Sequence, residues 1–125
     1  ANGISSSSGG IGTLVQGNRI GTNAAGTAAL GNARFGFFGN TGTPFDTIGG
    51  TTPTARNIIS GNGLDGIETS STGSSALSPI IAGNFIGTNA AGNAAIPNGG
   101  FGISFGGAIA TSVTSNVVSG NTGGG

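Results

Sequence analysis

The stretch GNRIGTNAAGTAALGN, residues 17–32, returns as GNFIGTNAAGNAAIPN, residues 83–98, with 12 of its 16 positions identical when Gly17 is laid on Gly83. It carries one charge, Arg19, and no carboxylate, imidazole or thiol. Its meaning therefore lies in its spacing. The pair Gly-Asn recurs at 17–18, 39–40, 61–62 and 83–84, a constant step of 22. Two places before each Gly stands Val15, Phe37, Ile59 or Ile81, and one further step lands on Ile103. On this reading the 66-residue repeat is three periods of 22.

Repeating helix pairs have longer periods and need helix formers. Here Gly, Thr, Ser and Asn interrupt every apolar run, so helices do not propagate. Short β-branched or aromatic runs bounded by Gly and Asn predict strands at 14–16, 36–38, 58–60, 80–82 and 101–104. Pairing each strand with the one a period later predicts an all-β parallel β-helix (β-solenoid) of five to six 22-residue coils. Its coils stack at ~4.8 Å. The expected organisation is one domain, 1–125, of two three-coil repeats, roughly 1–62 and 63–125. Val15, Phe37, Ile59, Ile81 and Ile103 are then the core stack. Leu30, Ile96 and Val118, at a constant offset from Val15, Ile81 and Ile103, form a second apolar face, with Ile20, Leu64 and Ile86 as further inward candidates.

Asn tolerates left-handed corners, and its amide both donates and accepts when stacked. The register predicts one internal ladder of Asn18, Asn40, Asn62 and Asn84. DTIGGTTPTA, 46–55, has no counterpart after Ile103 and reads as an irregular loop, with Pro44 and Pro53 barring central pairing. The last coil shifts face or carries an insertion, because Phe105 and Gly106 occupy the fifth Gly-Asn position.

Composition narrows the function. Three Arg balance three acids, with no Lys, His, Cys, Met, Trp or Tyr. That excludes the basic footprint of a nucleic-acid binder and any disulfide framework. No apolar run is long enough to insert in a membrane. Gly numbers 29, a bias shared with disordered chains, yet Val, Ile, Leu and Phe together number 28 and arrive in register. The opening at Ala1, without Met, reads as a processed mature chain or a piece of something longer.

GNRIGTNAAGTAALGN, DTIGGTTPTARNIISGNGLDGI and IIAGNFIGTNAAGNAAIPN resemble the right-handed parallel β-helix repeats of large secreted and cell-surface proteins of bacteria. The resemblance covers essentially the whole chain. It implies right-handed winding, as parallel crossovers favour, and an extracellular, cell-surface location.

Other β-helix proteins cleave glycans with clustered carboxylates. The acids here are Asp46, Asp65 and Glu68, and the 22-residue register stacks Asp46 on Glu68 as an acid pair, with Arg56 as a charge stabiliser. One coil of separation is tighter than the roughly 5 Å that glycoside hydrolysis uses. Two solvated surface acids, meeting Arg34 or Arg56, are the plainer reading, and catalysis is not expected. SGNGLDGIE, 60–68, partly fits a calcium-binding turn through Gly61, Gly63, Asp65 and Ile67, but Thr43 and Gly87 one coil away bring no carboxylate. No metal and no cofactor are expected.

TNAAGTAAL, 22–30, and TNAAGNAAI, 88–96, are small and neutral. Ice binding needs a continuous Thr row, which Thr22 and Thr88, three coils apart on this register, do not make. Both ends of the chain are repeat-like and uncapped, so coil can stack on coil head to tail. The expected function is a structural subunit or segment of an extracellular filament whose partner is itself. A glycan-binding or glycan-degrading protein is the alternative, and an ice-binding protein the third.

Overall fold

The computed structural model describes residues 1–7, 12–40, 45–70, 78–107 and 111–125. Within them the chain is all-β, with no helix and three parallel four-stranded sheets in a solenoid-like winding. No helix among the described residues is long and apolar enough to cross a membrane. The first turn runs through β1 (Ile4–Ser6), β2 (Leu14–Val15) and β3 (Arg19–Ile20). The second comprises β4 (Phe37–Gly39), β5 (Thr47–Gly49) and β6 (Ile58–Ile59). β7 (Ile67–Ser70), β8 (Ile80–Ala82) and β9 (Phe85–Ile86) make the third. β10 (Ile103–Gly106), β11 (Ser112–Thr114) and β12 (Val117–Val118) make the fourth. Sheet A stacks β1-β4-β7-β10, sheet B β2-β5-β8-β11 and sheet C β3-β6-β9-β12.

The pitch differs from the 22-residue expectation. Val15 pairs with Ile48 and Ile48 with Ile81, an advance of 33 in residue number each time. In sheet A the advances are 33, 30 and 36, from Ile4 to Phe37, Ile67 and Ile103. Four turns with a pitch near 33 replace five to six of 22, and the sequence repeat of Gly17 at Gly83 is two turns rather than three. Val15, Phe37, Ile59, Ile81 and Ile103 all sit in or against the core, but successively in sheets B, A, C, B and A. The shorter step carries the chain past two of the three sides, two-thirds of a turn, and lands on another inward position. Apolar periodicity reports that a position faces inward, not which side it belongs to, so the shorter period is an alias.

The true stacks are Ile4, Phe37, Ile67 and Ile103 in sheet A, Val15, Ile48 and Ile81 in sheet B, and Ile20, Ile59, Ile86 and Val118 in sheet C. Burying each Ile or Phe contributes about 1.5–3 kcal/mol. Ile96 is also buried, whereas Leu30 of the expected second face and Leu64 of the further inward candidates are 74% and 40% exposed. Ile48→Val removes one methyl from a fully enclosed site and is expected to lower stability by about 0.5–1.5 kcal/mol, read from the denaturant midpoint.

The turns differ in where they carry extra chain. After β3 and β9 a short hairpin-like excursion leaves sheet C, closed by the antiparallel bridges Thr22–Ala29 and Thr88–Ala95. The second and fourth turns pass the same corner directly, at 60–62 and 119–121. An excursion on alternate turns is why the sequence repeats every second turn and not every turn. The second turn places its own extra chain between β5 and β6, at 50–57. DTIGGTTPTA is thus not wholly a loop: Thr47–Gly49 is a central strand of sheet B, and Ile48 is fully buried. Pro53 stands in the exposed part, and Pro44 lies outside the described residues. Thr22 and Thr88 are buried and two turns apart, their hydroxyls donating to the carbonyls of Asn23 and Asn89.

Candidate functional site

Two columns of asparagine run along the inside of the winding. One joins Asn18, Asn57, Asn84 and Asn116 at the corner between sheets B and C. The other joins Asn32, Asn62, Asn98 and Asn121 beyond sheet C. Every step uses the same bonds. The Asn84 Nδ2 donates to Asn116 Oδ1 at 3.0 Å and to the Ile48 carbonyl at 2.9 Å. Its Oδ1 accepts from Asn57 Nδ2 at 2.9 Å and from the Asn57 backbone N–H at 3.2 Å. Asn57 and Asn84 are fully buried, as is Asn98 in the second column.

A buried amide is tolerated only when each of its groups is paired. Here the carbonyls of the core residues supply the acceptors: Val15, Ile48 and Ile81 for one column, Ile20, Ile59 and Ile86 for the other. Backbone N–H on one side and backbone C=O on the other fix which amide atom is oxygen. All rungs consequently point the same way.

The uniform direction leaves the two ends unlike. At the first turn Oδ1 of Asn18 and of Asn32 accepts no bond among the described residues. At the fourth turn Asn116 and Asn121 each spend one Nδ2–H on a core carbonyl and retain the other, with their backbone N–H. The excursions form a third row. Ala90 N–H donates to the Gly26 carbonyl at 2.8 Å, while the equivalent Ala24 N–H and Gly92 carbonyl have no partner among the described residues.

Of the expected ladder Asn18, Asn40, Asn62 and Asn84, the structure puts Asn18 and Asn84 in one column and Asn62 in the other. Asn40 stands elsewhere, exposed after β4, and its N–H donates to the Ser6 carbonyl at 2.9 Å. Tracking Gly-Asn pairs passes over Asn57, Asn98 and Asn116, which follow Arg56, Pro97 and Ser115. A left-handed residue precedes some of the rungs and not others: Gly17, Gly61, Gly83 and Gly120 have φ between 68° and 76°, whereas Gly31, Arg56 and Pro97 have no positive φ. Ser115 adopts φ 56° at such a corner without being Gly. Ser115→Gly relieves that and is expected to raise stability by about 0.5–1 kcal/mol, visible as a higher melting temperature.

Asp46 and Glu68 are not a stacked pair. Asp46 is 3% exposed ahead of β5, its Oδ1 accepting from Thr13 N–H at 2.8 Å and Ser6 Oγ at 3.2 Å. Glu68 lies in sheet A, level with Phe38 and Ser104. The separation follows from the longer pitch, which takes both out of common register. Asp65 accepts from the Phe101 N–H at 2.7 Å instead of facing Gly87, and Thr43 lies outside the described residues. No group of three metal-ligating side chains occurs among the described residues. Arg34 and Arg56 lie over Phe35 and Phe85, with no acid against either among the described residues. No family model, curated protein or solved structure matches this chain.

Proposed function

We propose that this protein is a structural subunit or segment of an extracellular bacterial filament, wound right-handed and extended by stacking coil on coil. The observation that carries the reading is the complementarity of the two end turns. Each Asn column offers acceptors at the first turn and donors at the fourth. The excursion row offers a donor, Ala24 N–H, towards the first turn and an acceptor, the Gly92 carbonyl, towards the fourth. Three rows match when the fourth turn of one copy meets the first turn of the next.

The turn count supports the same contact. Excursions alternate with direct corners, and four is an even number, so a following copy brings its first excursion in phase. A heterologous contact of this kind does not close on itself. The edge strands β1, β2 and β3 at one end and β10, β11 and β12 at the other favour it further. A neutral surface with few charges offers little repulsion between copies.

Four turns at ~4.8 Å advance the axis by ~19 Å per copy. Cryo-electron microscopy of the purified chain tests this directly. Unbranched filaments with an axial rise near ~19 Å are expected. Monodisperse particles at high protein concentration overturn the stacking reading.

A further inference from the structure

The repeat differs at only four of 16 positions, and one difference changes the chemistry: Arg19 stands where the later copy has Phe85. Both lie on the outer side of sheet C, in the first and third turns, with Ile58 between them in register. Each packs beneath its own excursion, Arg19 against Gly26 and Phe85 against Gly92. Arg56, from the extra chain of the second turn, reaches across the Phe85 ring at 4.0 Å and donates its Nε–H to the Gly83 carbonyl at 3.0 Å.

Arg19 and Arg56 line one cleft of about 280 Å³, with Gly17, Pro53, Thr54 and Ala90 among its walls. Two of the chain's three cations thus converge on one site. Neither has a carboxylate partner among the described residues. Asp46 is turned into the A–B corner, and Asp65 bonds the Phe101 backbone. Arg56 is held in place by ring and carbonyl, so its terminal nitrogens are pre-oriented rather than free to sweep solvent. A guanidinium's planar fork matches a carboxylate with two parallel bonds. Two forks around one small cleft repel each other when empty and are drawn together by an anion.

We infer that this cleft binds a carboxylate, carried either by a small free acid or by an acidic sugar unit. Its size lies near the lower end of ligand sites, ~300 Å³, which suits one such unit. Thr54 supplies a hydroxyl beside the charges, and the apolar lining is confined to Pro53, Ile58 and Ala90. The site lies on the side of the winding, so it stands whether or not copies stack end to end.

Equilibrium dialysis tests the inference, because it reads binding by monomer and filament alike. The probes are acetate, D-glucuronate and D-glucose. Glucuronate is expected to bind and glucose not, with affinity falling as salt rises. Acetate binding as well as glucuronate assigns the site to free acids; acetate binding at least tenfold more weakly assigns it to the sugar acid. Arg19→Gln, at an exposed position, is expected to weaken binding about tenfold, the loss of one charge-assisted fork. Arg56→Lys keeps the charge, loses the fork and is expected to weaken it similarly. Glucose binding as well as glucuronate, no binding of either acid, or an Arg19→Gln chain that binds like the parent overturns the proposal.

Discussion

Asn84→Ala is expected to lower the unfolding free energy by about 4–6 kcal/mol, from several buried groups losing partners at about 1–3 kcal/mol each. The substitution orphans the Asn57 Nδ2–H, the Asn57 backbone N–H and the Ile48 carbonyl together at a fully buried position, while the Asn116 oxygen keeps the Asn84 backbone N–H. Small domains are stable by only about 5–15 kcal/mol, so the variant sits at the edge of folding. Asn84→Asp is the sharper comparison. It keeps an acceptor for Asn57 but sets oxygen against both the Ile48 carbonyl and Asn116 Oδ1. It is expected to destabilise at least as much as Asn84→Ala. Asn18→Ala, at the exposed end of the same column, costs about 1 kcal/mol by the net worth of such bonds. Guanidinium unfolding midpoints rank the three. An Asn84→Ala chain within about 1 kcal/mol of the parent would show that the column is incidental to stability.

Gly49→Ala should be nearly as damaging for an opposite reason, excess matter rather than missing bonds. Gly49 ends β5 with φ 87°, a conformation that costs an L residue about 1–2 kcal/mol. Its added Cβ would meet the Ala82 carbonyl and the Asn84 amide of the next turn. Neither gives way without prising turns apart at the ladder corner, and such overpacking adds about 1–3 kcal/mol. The expected total is about 2–5 kcal/mol. Gly125→Ala, whose Cβ meets nothing within 4 Å, is the control and should leave the midpoint unchanged. Equal midpoints for the two variants would mean that the turns are not held at the close spacing seen here.

Much of this architecture is legible in the primary structure. Apolar residues separated by Gly and Asn every few positions do not propagate helices, and their register demands parallel strands that stack. The predicted strand at 80–82 coincides with β8, and those at 14–16, 36–38, 58–60 and 101–104 each overlap a strand of the fold. Two buried asparagine columns are harder to read, because only some rungs follow Gly. Asn57 after Arg56 and Asn98 after Pro97 look like ordinary loop residues until the carbonyls of Val15 and Ile59 are seen beneath them. The convergence of Arg19 and Arg56 was likewise invisible, since the whole second turn up to β6 lies between them in the chain.

Side-chain type and spacing alone require a stack of short strands around an apolar column, because they decide which residues leave water. The number of sides in each turn is settled only when the chain folds. Phe37 satisfies the core equally well from any of the three sheets, so its hydrophobicity says nothing about its neighbour along the axis. Hydrogen bonds say it unambiguously: Phe37 pairs with Ile4 and Ile67, not with Val15 and Ile59. That pairing sets the pitch, divides the asparagines between two columns and separates Asp46 from Glu68.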